Sequence, residues 1–336
     1  MLQRTNLRLT TEKAISADVE RGCFEPCKIA VLVPCYNEEA TIAKVVADFR
    51  AALPAAKIFV FDNNSTDDTR SVAGAAGASV FLEAHRGKGF VVRRMFSDVE
   101  ADVYVLVDGD ATYDASSVRL MVRRLLESRL DMVVGGRIES EQAAYRTGHR
   151  IGNRLLSAFI AFVFGSAIKD VLSGYRVFSR RFVKSFPVLS GGFEIETELT
   201  IHALELGLAI DEIVTPYRAR PTGSASKLNT WSDGFRILLT ILNIYRAERP
   251  LMFYSCLGAI AAASSIALAI PVVVTYLETG LVPRLPTAVL ATGLMLSALL
   301  CMAVGLVLDT VTRGRREMKL LAYLSHRAPD QEHRQV

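Results

Sequence analysis

The sequence predicts an α/β protein with a mostly parallel sheet, followed by two C-terminal helices that cross a membrane. Apolar runs typical of strands alternate with helical periodicity in the first half of the chain, which indicates a sheet covered by helices. Near the C-terminus, two uncharged runs each exceed the ~20 residues that span a bilayer as a helix. A length of 336 residues accommodates both parts.

Five short apolar runs are predicted to be strands, because β-branched and aromatic residues dominate them. They are Lys28–Val33, Lys57–Phe61, Ser79–Leu82, Val103–Val107 and Asp131–Val134. Apolar residues at helical spacing follow the first strand, namely Ile42, Val45, Val46, Phe49 and Leu53. Asp114 is predicted to cap a further helix, whose inner face is Val118, Met121, Val122 and Leu125.

The predicted transmembrane helices cover residues 250–276 and 285–309. Soluble helices rarely run this long without charge, which disfavours buried helices of a soluble protein. Basic residues flank the pair, namely Arg246, Arg249, Arg313, Arg315, Arg316 and Lys319. By the positive-inside rule both ends of the pair are cytoplasmic. Small residues such as Gly258 would permit close packing of the spans, and with it a homo-oligomer.

The rest of the chain divides around these parts. Residues 1–24 form an N-terminal arm, 25–230 the α/β domain, and 310–336 a basic cytoplasmic tail. Residues 231–249 form an amphipathic helix, which either lies in the membrane interface or covers the sheet. The net charge of +4 says little about nucleic acid, because basic residues beside the spans also favour anionic lipid headgroups. The chain has no strong basic-aromatic pattern, so no nucleic-acid partner is expected.

The fourth predicted strand delivers two carboxylates, Asp108 and Asp110, to its carboxyl end. Open α/β sheets bind ligands at that edge. Two aspartates around a glycine suit a hard divalent cation, which prefers oxygen ligands and keeps substrate phosphates in its shell. An ordinary surface turn would have the same composition, so the neighbouring loops decide between the two interpretations.

Those loops are also acidic or anion-binding. Pro34-Cys-Tyr-Asn-Glu38 follows the first strand, and Asp62-Asn-Asn-Ser-Thr-Asp67 follows the second. Gly87-Lys-Gly89 precedes a helix, where glycines and a lysine can hold an anion. The sequence therefore predicts a site for a cation and a phosphorylated ligand.

With these motifs the chain resembles the inverting family 2 glycosyltransferases of the GT-A fold. Further motifs, Asp170-Val-Leu-Ser-Gly-Tyr-Arg176 and Arg220-Pro-Thr-Gly-Ser-Ala-Ser-Lys227, make it similar to the polyprenyl-phosphate branch, such as dolichyl-phosphate mannose synthases and bactoprenol glucosyltransferases. The likeness covers residues 28 to about 235. It implies transfer of one sugar from a nucleotide-diphosphate sugar, with UDP favoured, to polyprenyl phosphate at the cytoplasmic membrane face.

The resemblance also implies roles for individual residues. Those implied to bind the nucleotide sugar are Pro34, Tyr36, Asn37, Glu38, Asp62, Lys88, Asp108 and Gly109. Asp108 and Asp110 would hold Mg²⁺ or Mn²⁺, and Asp170 would be either the catalytic base or a group that orients the acceptor. The cations that could bind the acceptor phosphate are Arg137, Arg150, Arg176, Arg220 and Lys227. Glu196 is a reserve candidate for the base.

Two departures from the family pattern leave alternatives open. Asn63 and Asn64 stand where a second acidic residue is usual, and the spacing around Arg220 differs by one residue from some synthases. The first leaves the contacts to the nucleotide base open, and the second leaves the register around Arg220 open. Apart from these, the nearest alternative function is transfer to a different membrane acceptor, a diacylglycerol or a lipid-linked glycan. A sugar-nucleotide-binding scaffold without activity is a second one, which the intact pair of Asp108 and Asp110 disfavours.

Overall fold

A seven-stranded sheet lies at the centre of the protein, whose structure is a computed structural model. The structure describes residues 27–139, 157–162, 164, 168–192, 194–218 and 242–327. The predicted N-terminal arm lies outside the described residues, as do residues 231–241 of the predicted amphipathic helix and residues 328–336 of the tail. Residues 242–248 of that amphipathic segment are helical.

The sheet is mostly parallel, as the sequence predicts. Its strands are β1 (Ile29–Cys35), β2 (Lys57–Asp62), β3 (Ser79–Leu82), β4 (Val103–Leu106), β5 (Met132–Glu139), β6 (Arg176–Ser179) and β7 (Ile210–Tyr217). Their order is β3-β2-β1-β4-β6-β5-β7, and only β6 runs antiparallel to its neighbours. The sequence patterns do not predict β6 and β7, because the short strand β6 begins with Arg176 and the edge strand β7 carries charges and a proline.

Helices cover both faces of the sheet. They are α1 (Ile42–Ala52), α2 (Thr69–Ala75), α3 (Lys88–Asp98), α4 (Val118–Glu127), α5 (Arg180–Ser185), α6 (Ile195–Glu205), α7 (Pro250–Thr279) and α8 (Leu285–Leu324). Alternate residues of β1 join different cores: Val31 packs in the core with α1 and α4, and Leu32 in the core with α3 and α6. The predicted inner faces of α1 and α4 are buried, and Asp114 accepts a hydrogen bond from the backbone N–H of Ser117.

His202 of α6 lies in the core against two aromatic rings. The ring centres of Phe182 and Phe186 are 5.3 and 5.1 Å away. Burial, assisted by the positive charge of Lys319, lowers the pKa of His202 to about 3. The unfolded chain binds this proton near pH 6.5, so the stability from neutral His202 is complete above that pH and is lost as the pH falls toward 3.

We therefore expect about 2 kcal/mol of stability to be lost through His202 between neutral pH and pH 5. Thermal unfolding of the full chain in detergent at the two pH values checks this. His202→Asn should reduce the acid-induced drop in Tm, whereas His85→Asn should not, since the His85 side chain is 79% exposed. An equal drop in His202→Asn and the wild type would contradict the expectation.

The helices α7 and α8 are both long and apolar enough to cross a membrane. They pack against each other, and Gly258 lies so close to the backbone of Ala298 that an added Cβ would come within 3.0 Å of its carbonyl oxygen. At 1.5 Å per residue the 40-residue α8 is ~60 Å long, about twice the bilayer core. The helix therefore continues beyond residue 309, the predicted end of the span.

This continuation of α8 docks onto the α/β domain, so residues 310–324 of the predicted basic tail belong to the helix. Lys319 and Arg316 contact the buried carboxylate of Glu205, at 2.6 and 3.2 Å. Tyr323 donates a hydrogen bond to Asp131, at the start of β5, at 2.9 Å. The basic residues of α8 thus bind the protein itself, because the helix lies against acidic groups of the domain.

Candidate functional site

Four carboxylates converge at the carboxyl edge of the sheet. β1 pairs in parallel with both β2 and β4, so the carboxyl ends of these strands share one edge. Asp62 ends β2, Asp108 and Asp110 follow β4, and Glu38 follows β1. The buried thiol of Cys35 lies beneath them: burial raises its pKa, and the negative charges of these four carboxylates raise it further. We call this group of four the acidic rim.

Hydrogen bonds hold the loops after β1 and β2 together. Asn37 has a φ of 53°, and its side-chain oxygen accepts from the backbone N–H of Thr66 at 2.9 Å. Its own N–H donates to Ser65 Oγ at 2.9 Å, and that of Glu38 donates to Thr69 Oγ1 at 2.9 Å. Asn37 therefore supports the loop that carries Glu38, a structural role that the nucleotide-binding prediction does not include.

One carboxylate oxygen of Asp62 is buried without a hydrogen-bond partner among the described residues. Its side chain is buried, Oδ2 accepts from the backbone N–H of Ser65, and Oδ1 has no hydrogen-bond partner among the described residues. A buried carboxylate oxygen left without a donor is unfavourable. A bound ligand that donates to this oxygen would remove the penalty. Half-buried Pro34 and Tyr36 lie in the adjoining segment, and the guanidinium of Arg86 lies 6.0 Å from the Tyr36 ring centre.

Asn63 explains why the chain departs from the family pattern at this point. Its amide nitrogen donates to the carbonyl of His85 at 2.6 Å, and its oxygen accepts from the N–H of Gly87 at 2.7 Å. A carboxylate cannot make the first of these bonds, because it has no donor. Asn63 thus connects β2 to the loop that begins α3.

Asp110 and Asp108 offer carboxylate oxygens of the kind that Mg²⁺ or Mn²⁺ prefers. Asp110 is 3% exposed, and Oδ1 accepts from the hydroxyl and N–H of Thr112, at 2.6 and 3.2 Å. Gly109 between them is needed for space, since a Cβ would come within 2.7 Å of Cys35 Sγ. In the described part of the chain, no three His, Cys, Asp or Glu side chains form a metal site by themselves. A cation held here would take further ligands from phosphate or water.

Lys88, at the start of α3, bridges two carboxylates. Its ammonium lies 2.5 Å from Asp108 Oδ1 and 2.5 Å from Glu196 Oε1. Burial alone would lower the pKa of Lys88, but the charges of Asp108 and Glu196 outweigh it and raise the pKa above its ordinary value. The sequence places Glu196 in a first helical turn and gives no sign of this contact, which depends on how α6 packs against α3.

Arg137 and Asp170 form a bidentate ion pair beside the rim. Arg137 Nε and Nη2 each lie 2.7 Å from an oxygen of Asp170. The guanidinium also lies over the Tyr217 ring, at 5.5 Å. The Tyr217 ring packs against Tyr113 at 5.3 Å, and the Tyr113 hydroxyl accepts from the N–H of Gly174, which lies beside Asp108. The pair therefore lies close to Asp108, although Asp170 would have to give up part of the pair to accept a proton.

Arg176 does not lie at the surface of the site. It is completely buried, and its guanidinium donates to the carbonyls of Ser173 and Val171 and to Thr200 Oγ1, at 2.9, 2.6 and 2.9 Å. This burial disagrees with the prediction that Arg176 binds the acceptor phosphate, because its donors are used inside the core. The other predicted acceptor ligands Arg150, Arg220 and Lys227 lie outside the described residues.

Gly89 lets α3 approach a neighbouring segment closely. A Cβ at Gly89 would come within 2.0 Å of the Ser190 carbonyl oxygen and 2.7 Å of its carbon. Both atoms belong to the backbone, so the start of α3 and Lys88 with it would have to move. We expect Gly89→Ala to lower the free energy of unfolding by about 1–3 kcal/mol and to reduce activity.

Thermal unfolding of the purified chain checks this, with Gly74→Ala in α2 as the control. The nearest atom to a Cβ at Gly74 is 4.0 Å away, and alanine favours a helix by up to about 1 kcal/mol over glycine. A Tm for Gly89→Ala that equals or exceeds that of Gly74→Ala would contradict the expectation.

The chain is similar to known glycosyltransferases in sequence. The model of the family "Glycosyl transferase family 2" matches residues 30–186. Glycosyltransferase AglJ of Haloferax volcanii is 32% identical over 294 residues, which are 87% of this chain and 96% of that protein. A dolichyl-phosphate hexose transferase of the same organism is 27% identical over 221 residues, which are 66% of this chain and 95% of the transferase.

Among solved structures, glucosyl-3-phosphoglycerate synthase of Mycobacterium tuberculosis has a similar fold. Its complex with Mn²⁺, UDP and glucosyl-3-phosphoglycerate matches with a TM-score of 0.53 and 26% identity. The match covers 65% of this chain and 81% of that one. The likeness supports the predicted GT-A fold.

Proposed function

Because the chain belongs to glycosyl transferase family 2, we propose that it moves one sugar from a UDP-linked donor to polyprenyl phosphate. The product is a β-linked polyprenyl-phosphate sugar, made at the cytoplasmic face of the membrane. The observation that carries the proposal is the Arg137–Asp170 pair, a cation near the acidic rim in a chain with two helices long and apolar enough to cross a membrane. The name of the dolichyl-phosphate relative supports a lipid phosphate as acceptor.

The donor is proposed to lie on the acidic rim. Asp62, with its unsatisfied buried oxygen, takes a donor group of the nucleotide, and Pro34 and Tyr36 line the adjoining surface. Asp108 and Asp110 would hold Mg²⁺ or Mn²⁺, which neutralises the charge that develops on the departing diphosphate. The Mn²⁺ and UDP in the mycobacterial neighbour support this assignment.

The acceptor phosphate is proposed to bind Arg137. A phosphate monoester has a second pKa of about 6 and is largely a dianion at neutral pH, so it attacks without prior proton removal. Asp170 then orients Arg137 and the acceptor, and a strong base is not needed. A diacylglycerol or glycan hydroxyl would instead need Asp170 to take its proton.

The two long apolar helices support a reaction at a bilayer surface. Arg246 and Arg249 precede α7, and basic residues follow the apolar part of α8, so both ends are proposed to be cytoplasmic. The α/β domain, which docks on the continuation of α8, then lies on the same side. We propose that the prenyl chain of the acceptor lies in the bilayer and that its phosphate reaches the domain from there.

Purified full-length protein tests this function with polyprenyl phosphate and a panel of labelled nucleotide sugars. We expect label in the organic phase, dependent on Mg²⁺ or Mn²⁺ and on added polyprenyl phosphate. Label that enters only water-soluble glycan, or only diacylglycerol, would contradict the proposed acceptor.

Asp170→Asn separates a phosphate acceptor from a hydroxyl acceptor. With a phosphate acceptor we expect the transfer rate to fall by about 10- to 100-fold, because Asp170 positions but takes no proton. The matched control is Asp211→Asn. Asp211 lies at the amino end of β7 and pairs with Arg124 at the surface, so its replacement should leave the rate unchanged. A loss greater than about 10³-fold would indicate a true base and a hydroxyl acceptor.

A further inference from the structure

Lys88, Asp108 and Glu196 form a buried charge triad. The ammonium lies 2.5 Å from an oxygen of each carboxylate, and the Lys88 and Glu196 side chains are only 11% and 7% exposed. Removing an ammonium and two carboxylates from water is unfavourable unless they neutralise one another. The Lys88 ammonium beside Asp108 is therefore not an ordinary surface ion pair.

The backbone around Lys88 holds its ammonium in place. The N–H of Gly87 donates to Asn63, and a Cβ at Gly87 would come within 2.0 Å of the Gly191 carbonyl oxygen. Gly89 packs equally closely against Ser190. The start of α3 is thus fixed on both sides, and the side chain of Lys88 reaches the triad from a rigid base.

The oxygen of Asp108 that contacts this cation is Oδ1. A Cβ at Gly174 would come within 2.4 Å of Oδ2 of Asp108 and 3.1 Å of Oδ1, so the carboxylate lies against the Gly174 backbone. A divalent cation bound through Oδ1 would meet the Lys88 ammonium, and like charges repel at this distance.

We propose that Lys88, anchored by Glu196, is a resident counter-cation that holds Asp108 in position until a divalent cation and the donor diphosphate bind. Metal binding displaces the ammonium from Asp108, and the freed ammonium then contacts the diphosphate. Glu196 is a positioning residue that keeps Lys88 beside the site during this exchange. The inference rests on the proposed donor site but not on the identity of the acceptor.

Charge counting makes the inference testable by metal binding alone. The triad carries one net negative charge, Lys88→Met leaves two, and Glu196→Gln leaves none. Mn²⁺ is titrated into the full-length protein in detergent without nucleotide and followed by electron paramagnetic resonance. We expect Lys88→Met to bind Mn²⁺ at least about tenfold more tightly than the wild type, and Glu196→Gln about tenfold more weakly.

The double variant Lys88→Met/Glu196→Gln restores one net negative charge and should return to within about threefold of the wild type. At saturating Mn²⁺, UDP should bind Lys88→Met more weakly, because the freed ammonium is missing. Lys184→Met, which removes a lysine that pairs with Glu100, is the control and should change neither constant.

Equal Mn²⁺ affinity in Lys88→Met and the wild type would overturn the inference, and so would weaker binding in both single variants. If Lys88→Met does not fold, Glu196→Gln alone decides, since it keeps the shape of the side chain. These binding constants need no acceptor. A protein that shows the expected pattern but transfers no sugar to polyprenyl phosphate would refute the proposed function and leave this inference standing.

Discussion

Asp110→Asn is expected to lower the rate of sugar transfer by at least about 10³-fold, the equivalent of ~4 kcal/mol. The amide keeps the shape of the side chain and can still accept from Thr112, but it loses the negative charge that holds the cation. Initial rates with labelled donor and saturating polyprenyl phosphate measure the loss. After a chelator has removed divalent metal, added Mn²⁺ should restore the transfer rate of the wild type but not that of the variant.

Asp98→Asn is the control for this experiment. Asp98 pairs with Arg94 on the exposed surface of α3, so its replacement should leave the rate within about twofold. Unfolding temperatures of both variants should match the wild type. A rate for Asp110→Asn close to that of Asp98→Asn would contradict the assignment of Asp110 as a metal ligand.

Glu205→Ala is expected to lower the free energy of unfolding by about 3 kcal/mol. The Glu205 side chain is completely buried and contacts Lys319 and Arg316 of α8. Its removal leaves two cations without their shared carboxylate. The change should also loosen the docking of the α/β domain on α8, and transfer to long-chain acceptors in vesicles should fall with it.

Thermal unfolding and limited proteolysis in detergent measure both effects. Cleavage near the end of α8 should be faster in Glu205→Ala. Arg313→Gln is the control, because Arg313 is 74% exposed and its ion pair in the described part of the chain is with Asp309 of its own helix. Its effect should stay within about 0.5 kcal/mol. Equal Tm values for the two variants would show that α8 does not clamp the domain.

Periodicity alone predicts much of the fold. β1 to β5, α1 and the two apolar helices follow from patterns of two and 3.6 residues and from uncharged length. β6 is missed because its buried Arg176 reads as a polar residue, whereas in the fold its guanidinium is satisfied by two backbone carbonyls and Thr200. The sequence does not predict the full length of α8, because charged residues are expected to end a membrane-spanning segment. In the structure the helix continues through these residues, and two of them pair with Glu205.

The acidic rim is predictable for a topological reason, since parallel strands bring their following loops to one edge. Contacts between residues that are far apart in the sequence are not predictable in this way. Glu196 binds Lys88 across 108 residues, and only the packing of α6 against α3 brings them together. The pairing of Arg137 with Asp170 cannot be predicted from the sequence either, because the two residues meet only in the folded protein. The sequence analysis treats them separately, as a phosphate ligand and a base, whereas in the structure they form one ion pair.

The identity of the lipid product tests the central claim most directly. Wild-type protein is incubated with Mn²⁺, the labelled nucleotide sugar, and polyprenyl phosphate, polyprenol and diacylglycerol together, and the lipids are analysed by mass spectrometry. We expect one product, polyprenyl phosphate enlarged by a single sugar residue, with release of the nucleoside diphosphate. A sugar found on polyprenol or diacylglycerol, with polyprenyl phosphate unchanged, would contradict it.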